Sequence, residues 1–68
     1  MVIQAAIVRI MKTRGQLDHN SLISEVVEVL KRNFVPTVTV IKQNIEILID
    51  KEYIRRVNES TPAYVYVA

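Results

Sequence analysis

The residue best suited to chemistry in this 68-residue chain is Lys12, within the segment AAIVRIMKTRG at residues 5–15. A lysine side chain carries a primary amine on a flexible four-carbon stem, and the deprotonated amine is a nucleophile. At about 100° per residue, Lys12 lies roughly opposite the apolar stripe centred between Ile7 and Ile10. The spacing therefore predicts that Lys12 points into solvent from a helix whose other side is buried.

The predicted surroundings of Lys12 are small or apolar, with one further cation. Val8 and Arg9 lie one turn back along the helix and Ala5 lies two turns back. Most lysines are ordinary surface residues. Ala5 and Val8 on a solvent-facing side would nevertheless let another protein approach closely. We therefore take Lys12 as the candidate functional residue, with Ala5, Val8 and Arg9 as its presenting surface.

The composition leaves few other ways to build a reactive site. The chain has no cysteine, one histidine (His19) and one glycine (Gly15). These counts exclude thiolate chemistry, a metal site built from several histidines or cysteines, and a glycine-rich phosphate loop. We therefore expect no enzymatic activity, no cofactor and no metal. No apolar run approaches the roughly 20 residues of a membrane span, so we expect no membrane contact and a soluble intracellular domain.

The net charge of +2 is concentrated on the first segment. Residues 1–14 contain Arg9, Lys12 and Arg14 and no acidic residue, and Asp18 follows. In the rest of the chain the acidic and basic residues balance segment by segment. The first helix is therefore expected to have a basic flank.

The elements that must position Lys12 follow from the hydrophobic period. A helical period over residues 3–14 ends near Gly15, a natural C-cap. Asp18 fits as the N-cap of a second helix that Pro36 stops, and Thr37 fits as the N-cap of a third. The residues expected to face inward are Leu22, Ile23, Val26, Val29, Leu30 and Phe34 on the second helix, and Val38, Ile41, Ile45, Leu48 and Ile49 on the third.

After residue 52 the period changes from helical to alternating. The segments YIRRV and AYVYV are separated by the turn-rich NESTP, which predicts a hairpin. A short extended piece at 16–17 would add a third strand. Helix, strand, helix, helix, strand, strand is the order of a winged helix. We therefore expect an α+β fold, a three-helix bundle with a helix-turn-helix unit and a C-terminal β-hairpin wing.

A DNA-binding winged helix is the main alternative from another functional class. Its third helix would need basic or amide side chains aimed at bases and phosphates. The expected outward positions here are Val40, Gln43, Glu46, Ile47 and Asp50, a poor set for phosphate contacts. Gln43 and Asn44 on that helix could read bases, but a single pair of amides is weak evidence, so nucleic acid is not the expected partner. Val40 and Ile47 would form a small docking surface or have no function.

Five other residues have simpler structural interpretations. Tyr64 and Tyr66 on one face of the last strand could stack on single-stranded nucleic acid, but such a pair more often packs onto a helix. His19 belongs to the first turn of the second helix, where capping chemistry explains it. Arg55 and Arg56 are expected to be solvated strand residues.

Four segments of the chain resemble the C-terminal winged-helix domain of cullins, the scaffolds of RING-type ubiquitin ligases. They are IQAAIVRIMKTR at 3–14, HNSLISEV at 19–26, IKQNIEILIDKEYIRR at 41–56 and the terminal YVYVA. IVRIMK is a specific signature, and the resemblance covers essentially residues 1–68, including the ending at Ala68. It implies that the chain is a winged-helix domain from the C-terminus of a longer cullin. Family members usually carry a further basic residue where this chain has Gly15.

The resemblance also implies a function and a set of partners. The lysine of IVRIMK, here Lys12, would be the isopeptide acceptor for the ubiquitin-like modifier of the neddylation pathway, which activates the ligase. A RING subunit, a neddylation conjugating enzyme, a co-ligase and the rest of the cullin chain would meet the domain, in the cytoplasm and nucleus. The related scaffold subunit of the anaphase-promoting complex is a second alternative, against which the IVRIMK sequence argues.

Overall fold

The computed structural model describes residues 2–67. In chain order the elements are α1 Val2–Arg14, β1 Gln16–Asp18, α2 His19–Leu30, α3 Val38–Asp50, β2 Ile54–Arg56 and β3 Ala63–Tyr66. The predicted α+β winged-helix order is confirmed. Met1 and Ala68, the two ends of the expected 1–68 domain, lie outside the described residues.

The three strands form one antiparallel sheet in the order β1-β3-β2. Tyr64 on the central strand is opposite Leu17 of β1 on one side and Arg56 of β2 on the other. The strand expected at 16–17 is therefore real and extends to Asp18. Because β1 connects α1 to α2, this sheet attaches the wing to the connection between the first two helices.

One hydrophobic core joins the three helices to the sheet. The largest fully enclosed side chains are Ile7 and Met11 of α1, Leu22 and Val26 of α2, Ile41, Ile45 and Leu48 of α3, and Ile54 of β2. Each helix buries one stripe at a spacing of three or four residues, as an amphipathic helix does. The orientation of each helix about its own axis is therefore set by its apolar residues.

Apart from a one-residue difference at the start of α1, the helix boundaries that the sequence predicts are observed, with one exception. Gly15 follows α1 with φ of 81°, a left-handed conformation that suits glycine. The side chains of Asp18 and Thr37 accept backbone hydrogen bonds from Ser21 and Val40, so both N-caps are confirmed. The bonds from Ser21 lower the pKa of Asp18. This cap therefore stabilises α2 above the ordinary carboxyl pKa, and its contribution is lost as the pH falls through the lowered value.

The exception is the end of α2. This helix ends at Leu30, well before Pro36, because a turn follows at residues 31–33. The N–H groups of Asn33 and Phe34 both donate to the Leu30 carbonyl. Phe34 is consequently 42% exposed. Val29 and Val38, also expected inside, are 53% and 52% exposed. Both valines lie near the helix ends that the α2–α3 connection joins. There, fewer residues are buried than the apolar pattern of the sequence predicts.

The C-terminus of α3 ends in a Schellman motif with a non-glycine residue at its left-handed position. Glu52 has φ of 64°, its N–H donates to Ile49, and the Tyr53 N–H donates to Leu48. Lys51, one residue earlier, is right-handed with φ of −81°. A left-handed conformation costs an L-residue about 1–2 kcal/mol, and glycine avoids this cost.

We expect Glu52→Gly to stabilise the domain. The relieved strain exceeds the extra unfolded-state entropy of glycine by about 0.5 kcal/mol, which corresponds to a rise in Tm of about 2–4 °C. Lys51→Gly is the matched control and should lower Tm, because that position is right-handed. Thermal melts followed by circular dichroism measure both, and a fall in Tm for both variants would contradict the prediction.

Candidate functional site

Lys12 lies in the last turn of α1 and is exposed, on the side opposite the buried Ile7 and Ile10. Ion pairs in residues 2–67 join Arg14 to Glu25, Lys31 to Glu28 and Arg56 to Glu46. None of the side-chain hydrogen bonds or ion pairs within that range includes Lys12. The amine is therefore free to meet a partner, as the helical period predicts.

Lys12 lies on an open groove between α1 and the end of α3, which we call the Lys12 groove. Its volume is about 540 Å³, and its lining residues are Gln4, Ala5, Val8, Arg9, Lys12, Leu48, Lys51 and Tyr53. The structure thus places the three expected presenting residues beside the lysine. Ala5 and Arg9 are exposed, whereas Val8 is half-buried because it packs against the core.

Sequence reasoning missed the side of the groove that α3 supplies. Leu48 is almost fully buried, and the exposed Lys51 and Tyr53 follow it at the helix end. No signal local to α1 could have found them, since they approach Lys12 only through the packing of α3 against α1. The Schellman motif fixes the backbone of Tyr53, and the side chain remains 50% exposed.

The charged side chains that line the Lys12 groove are all positive. Arg9, Lys12 and Lys51 line it, and none of the lining residues named above is acidic. Arg14, the other cation of α1, donates instead to Glu25 of α2 at 3.2 Å. The basic flank expected on α1 therefore gains Lys51 from the end of α3, whereas Arg14 is engaged by Glu25. Such a surface favours a partner with acidic groups.

Comparison with known proteins identifies the family. Residues 1–60 match the model of the cullin protein neddylation domain. The chain belongs to the cullin neddylation-domain family. This match covers α1, the helix-turn-helix unit, β2 and most of the wing loop.

Individual cullins agree with that assignment. The chain is 48% identical to Cullin-3 of Caenorhabditis elegans and 54% identical to Cullin-1 of Dictyostelium discoideum, each over 66 residues and 97% of this chain. It spans only 8% and 9% of the lengths of these two proteins. The cullin resemblance is thereby confirmed, and the identity extends over nearly the whole domain.

A solved structure shares the fold. It is described as "A Dual E3 Mechanism for Rub1 Ligation to Cdc53: Dcn1(P)-Cdc53(WHB)" and matches with a TM-score of 0.91 at 35% identity. The match covers 97% of this chain and 76% of that one. The winged-helix architecture is therefore common to this cullin domain and to a domain solved in a neddylation-type complex.

The third helix of this cullin domain is poorly suited to reading DNA. Asn44 is buried, and its amide donates to the Val40 carbonyl at 2.8 Å, so it is not available to a base. Val40 and Ile47 were both expected to face outward. Val40 is instead half-buried against the core, so that prediction is wrong for Val40. Ile47 is exposed, as expected. On the same helix the exposed charged side chains are two carboxylates, Glu46 and Asp50, against the single cation Lys42, so the helix offers little net attraction to a DNA backbone.

The tyrosines of β3 pack into the molecule, as expected. Tyr64 is buried in the core and Tyr66 is half-buried against it. Burial raises the pKa of Tyr64, against the opposing effect of the Arg56 charge. Because the neutral phenol is favoured in the folded state, its contribution to stability is present below the ordinary value of 10.0 and is lost as the pH rises through the raised value.

Two of the simpler interpretations need correction. His19 is not explained by capping alone, because Asp18 supplies the cap and the His19 Nδ1 atom lies 2.8 Å from the Tyr64 hydroxyl. Arg56 is exposed but not simply solvated, since it pairs with Glu46 and lies 5.9 Å from the centre of the Tyr64 ring. Arg55 is exposed, as expected.

Two further findings concern sites of other kinds. In the part of the chain that the structure describes, no group of three or more histidine, cysteine or acidic residues could hold a metal. Among the helices of residues 2–67, none has the length and hydropathy needed to cross a membrane.

A polar bridge between α1 and α3 lies beside the Lys12 groove. Gln4, which lines the groove, donates from Nε2 to the Oδ1 atom of Asn44 at 3.1 Å. Asn44 therefore has both a donor and an acceptor partner, which a buried amide requires. The bridge selects one register between the two helices that form the groove.

We expect the side chains of Gln4 and Asn44 to be energetically coupled. Gln4→Ala should cost about 1 kcal/mol, or about 4–8 °C in Tm, because it leaves the buried Asn44 oxygen without a donor. A double-mutant cycle with Asn44→Ala, measured by denaturant unfolding, should give a coupling of about 0.5–1.5 kcal/mol. The exposed neighbour Gln43→Ala is the control and should change stability little. Strict additivity would disprove the bridge.

Proposed function

We propose that this cullin domain presents Lys12 as the isopeptide acceptor for a ubiquitin-like modifier and thereby serves as a regulatory module of a ubiquitin ligase scaffold. The observation that supports this is geometric: Lys12 is exposed, has no ion-pair partner in residues 2–67, and stands on a rigid helix beside an open groove. The lysine also occupies the last position of the IVRIMK segment.

The chemistry requires little of the domain itself. The neutral amine of Lys12 attacks the thioester carbonyl that links the modifier to a cysteine of its conjugating enzyme. An amide bond forms, the carbon–sulfur bond breaks and the cysteine leaves as a thiolate, while the attacking nitrogen loses one of its two protons to a base and keeps the other as the amide N–H. This chain offers no base near Lys12 within residues 2–67, so the conjugating enzyme and RING subunit would provide the base and the positioning. The domain is a substrate and scaffold, not an enzyme.

The groove explains how the amine could reach another protein's active site. Ala5 and Val8 are too short to block an approaching surface, and Lys12 adds a flexible stem. Tyr53 offers a rigid aromatic contact of the kind enriched at protein interfaces. Arg9 and Lys51 would attract acidic groups on the partner and accelerate the encounter.

The partners that we propose belong to the neddylation pathway. The description of the related solved structure names Dcn1 together with Cdc53, and it names the ligation of Rub1 to Cdc53. By analogy, a co-ligase, a conjugating enzyme, the ubiquitin-like modifier and a RING subunit would meet this domain, together with the rest of a longer cullin chain. The modified domain would move away from the RING subunit and free it for ubiquitin transfer to substrates. We place this activity in the cytoplasm and nucleus.

Lys12→Arg should remove the conjugate without changing the fold. Arginine keeps the positive charge on the exposed face but cannot form the isopeptide bond. In a reconstituted transfer reaction with the domain in its cullin chain, we expect complete loss of the modified band, with unchanged circular dichroism and Tm. Lys31→Arg is the matched control and should be modified normally.

Three outcomes would count against the assignment. Transfer that persists in Lys12→Arg, at Lys31, Lys42 or Lys51, would show that another amine is the acceptor. Retardation of duplex DNA by the domain in a gel shift at low salt would instead favour the nucleic-acid alternative. A normal fold with no conjugate at any lysine would favour the subunit of the anaphase-promoting complex, which is not expected to be neddylated.

Ala5→Gln tests the presenting surface separately from the acceptor. The longer side chain would fill the groove and obstruct the partner, while its helix propensity is close to that of alanine. We expect a several-fold slower transfer to Lys12 at limiting domain concentration, with recovery at saturation. Ser24→Gln on the exposed face of α2 is the control. Equal rates for the two variants would show that Ala5 does not contact the partner.

A further inference from the structure

A second pocket, which we call the wing pocket, lies between α3 and the wing and shares no lining residue with the Lys12 groove. Its lining residues are His19, Lys42, Ile45, Glu46, Arg56, Pro62 and Tyr64. Lys42 and Arg56 give it two cations against one carboxylate, with the imidazole of His19 beside them. The proposed acceptor function uses none of these residues.

The loop that borders the wing pocket contains Thr61-Pro62, and this is the only place in the chain where proline follows a serine or threonine. Thr61 is exposed, and its hydroxyl takes part in none of the hydrogen bonds within residues 2–67. Hydroxyl groups followed by proline in exposed, irregular loops are the substrates of proline-directed kinases. The loop therefore presents a kinase substrate in an accessible form.

Two hydrogen bonds fix the backbone of the loop, one within the loop and one to His19, which lines the pocket. The Asn58 side chain accepts from the N–H of Thr61 at 2.6 Å, and the Pro62 carbonyl accepts from the N–H of His19 at 2.6 Å. Pro62 itself lines the pocket. Because Thr61 directly precedes Pro62, a group attached to Thr61 is one residue along the chain from the lining of the pocket.

The charges of the wing pocket suit a phosphate. The pair of Arg56 with Glu46 is exposed, with side-chain exposures of 48% and 59%, and such pairs contribute little. Lys42 takes part in none of the ion pairs within residues 2–67. A phosphate carries a charge of about −1.5 to −2 and can compete with the single carboxylate of Glu46 for Arg56.

We propose that Thr61 is a phosphorylation site for a proline-directed kinase and that Lys42 and Arg56 hold the phosphate at the wing pocket. In the transfer step the Thr61 hydroxyl oxygen bonds to the γ-phosphorus of ATP. The bond from that phosphorus to the bridging oxygen breaks, ADP leaves, and the hydroxyl proton passes to a base of the kinase. The added phosphate links the wing loop to α3.

Phosphate incorporation is tested on the 68-residue chain with a purified proline-directed serine/threonine kinase and ATP. Intact mass and peptide mapping should show one phosphate, on Thr61. Thr61→Val and Pro62→Ala should abolish it, the second because it removes the kinase's recognition residue while the carbonyl that accepts from His19 remains. Ser60→Ala is the matched control and should be phosphorylated normally. No phosphate on Thr61, or a phosphate on Ser60 instead, would overturn the proposal.

The holding of the phosphate is tested by thermal melting of the phosphorylated chain. Phosphorylation should raise Tm by about 4 °C, because it adds a charged contact between the wing loop and α3. Lys42→Ala should remove at least half of that gain, whereas Lys51→Ala, a lysine at the end of the same helix and outside the pocket, should leave it intact. A Tm that phosphorylation leaves unchanged or lowers would overturn the role of the pocket. Transfer to Lys12 is measured separately and does not enter this result.

Discussion

The fold depends on the burial of one face of α1, because this helix contacts both other helices and two strands of the sheet. Ile7 and Met11 are fully enclosed, and burying side chains of this kind contributes about 1.5–3 kcal/mol each. Turning α1 by half a revolution would expose both of them and bring the charges of Arg9 and Lys12 into the core. The outward direction of Lys12 is therefore a consequence of the apolar stripe and needs no contact of its own.

The shape of the Lys12 groove depends on a second constraint, the register of α1 against α3. Apolar contacts alone tolerate small shifts between two helices, whereas a buried amide requires specific partners. Asn44 finds them in Gln4 on α1 and in the Val40 carbonyl on its own helix. The Schellman motif then directs the chain at Tyr53 towards the same groove. The cationic rim and the aromatic residue thus come from elements that are distant in sequence, and one polar bridge sets their relative position.

Most of the architecture could be predicted from the sequence because each element carries a local signal. The helical stripes, Gly15 and the capping residues Asp18 and Thr37 indicated the bundle, and alternation indicated the wing. The position of Lys12 followed from the same period. The IVRIMK resemblance supplied the role that we propose for that lysine, which no periodicity contains.

Apart from the early end of α2, which a local turn causes, the errors have a common physical cause, which is packing between elements. Val29 and Val38 fit an apolar stripe but lie near helix ends, where neighbouring elements cover only about half of each side chain. Val40 and Asn44 were judged by their helix alone and are covered by other parts of the molecule. The partner of His19 is a tyrosine 45 residues away. A contact between residues so far apart in the chain produces no local sequence pattern. The polar contacts across the core could therefore not be predicted from the sequence. The described ion pairs lie at the surface, where such pairs contribute little to stability, so we expect changes of surface charge to leave the fold of this cullin domain intact.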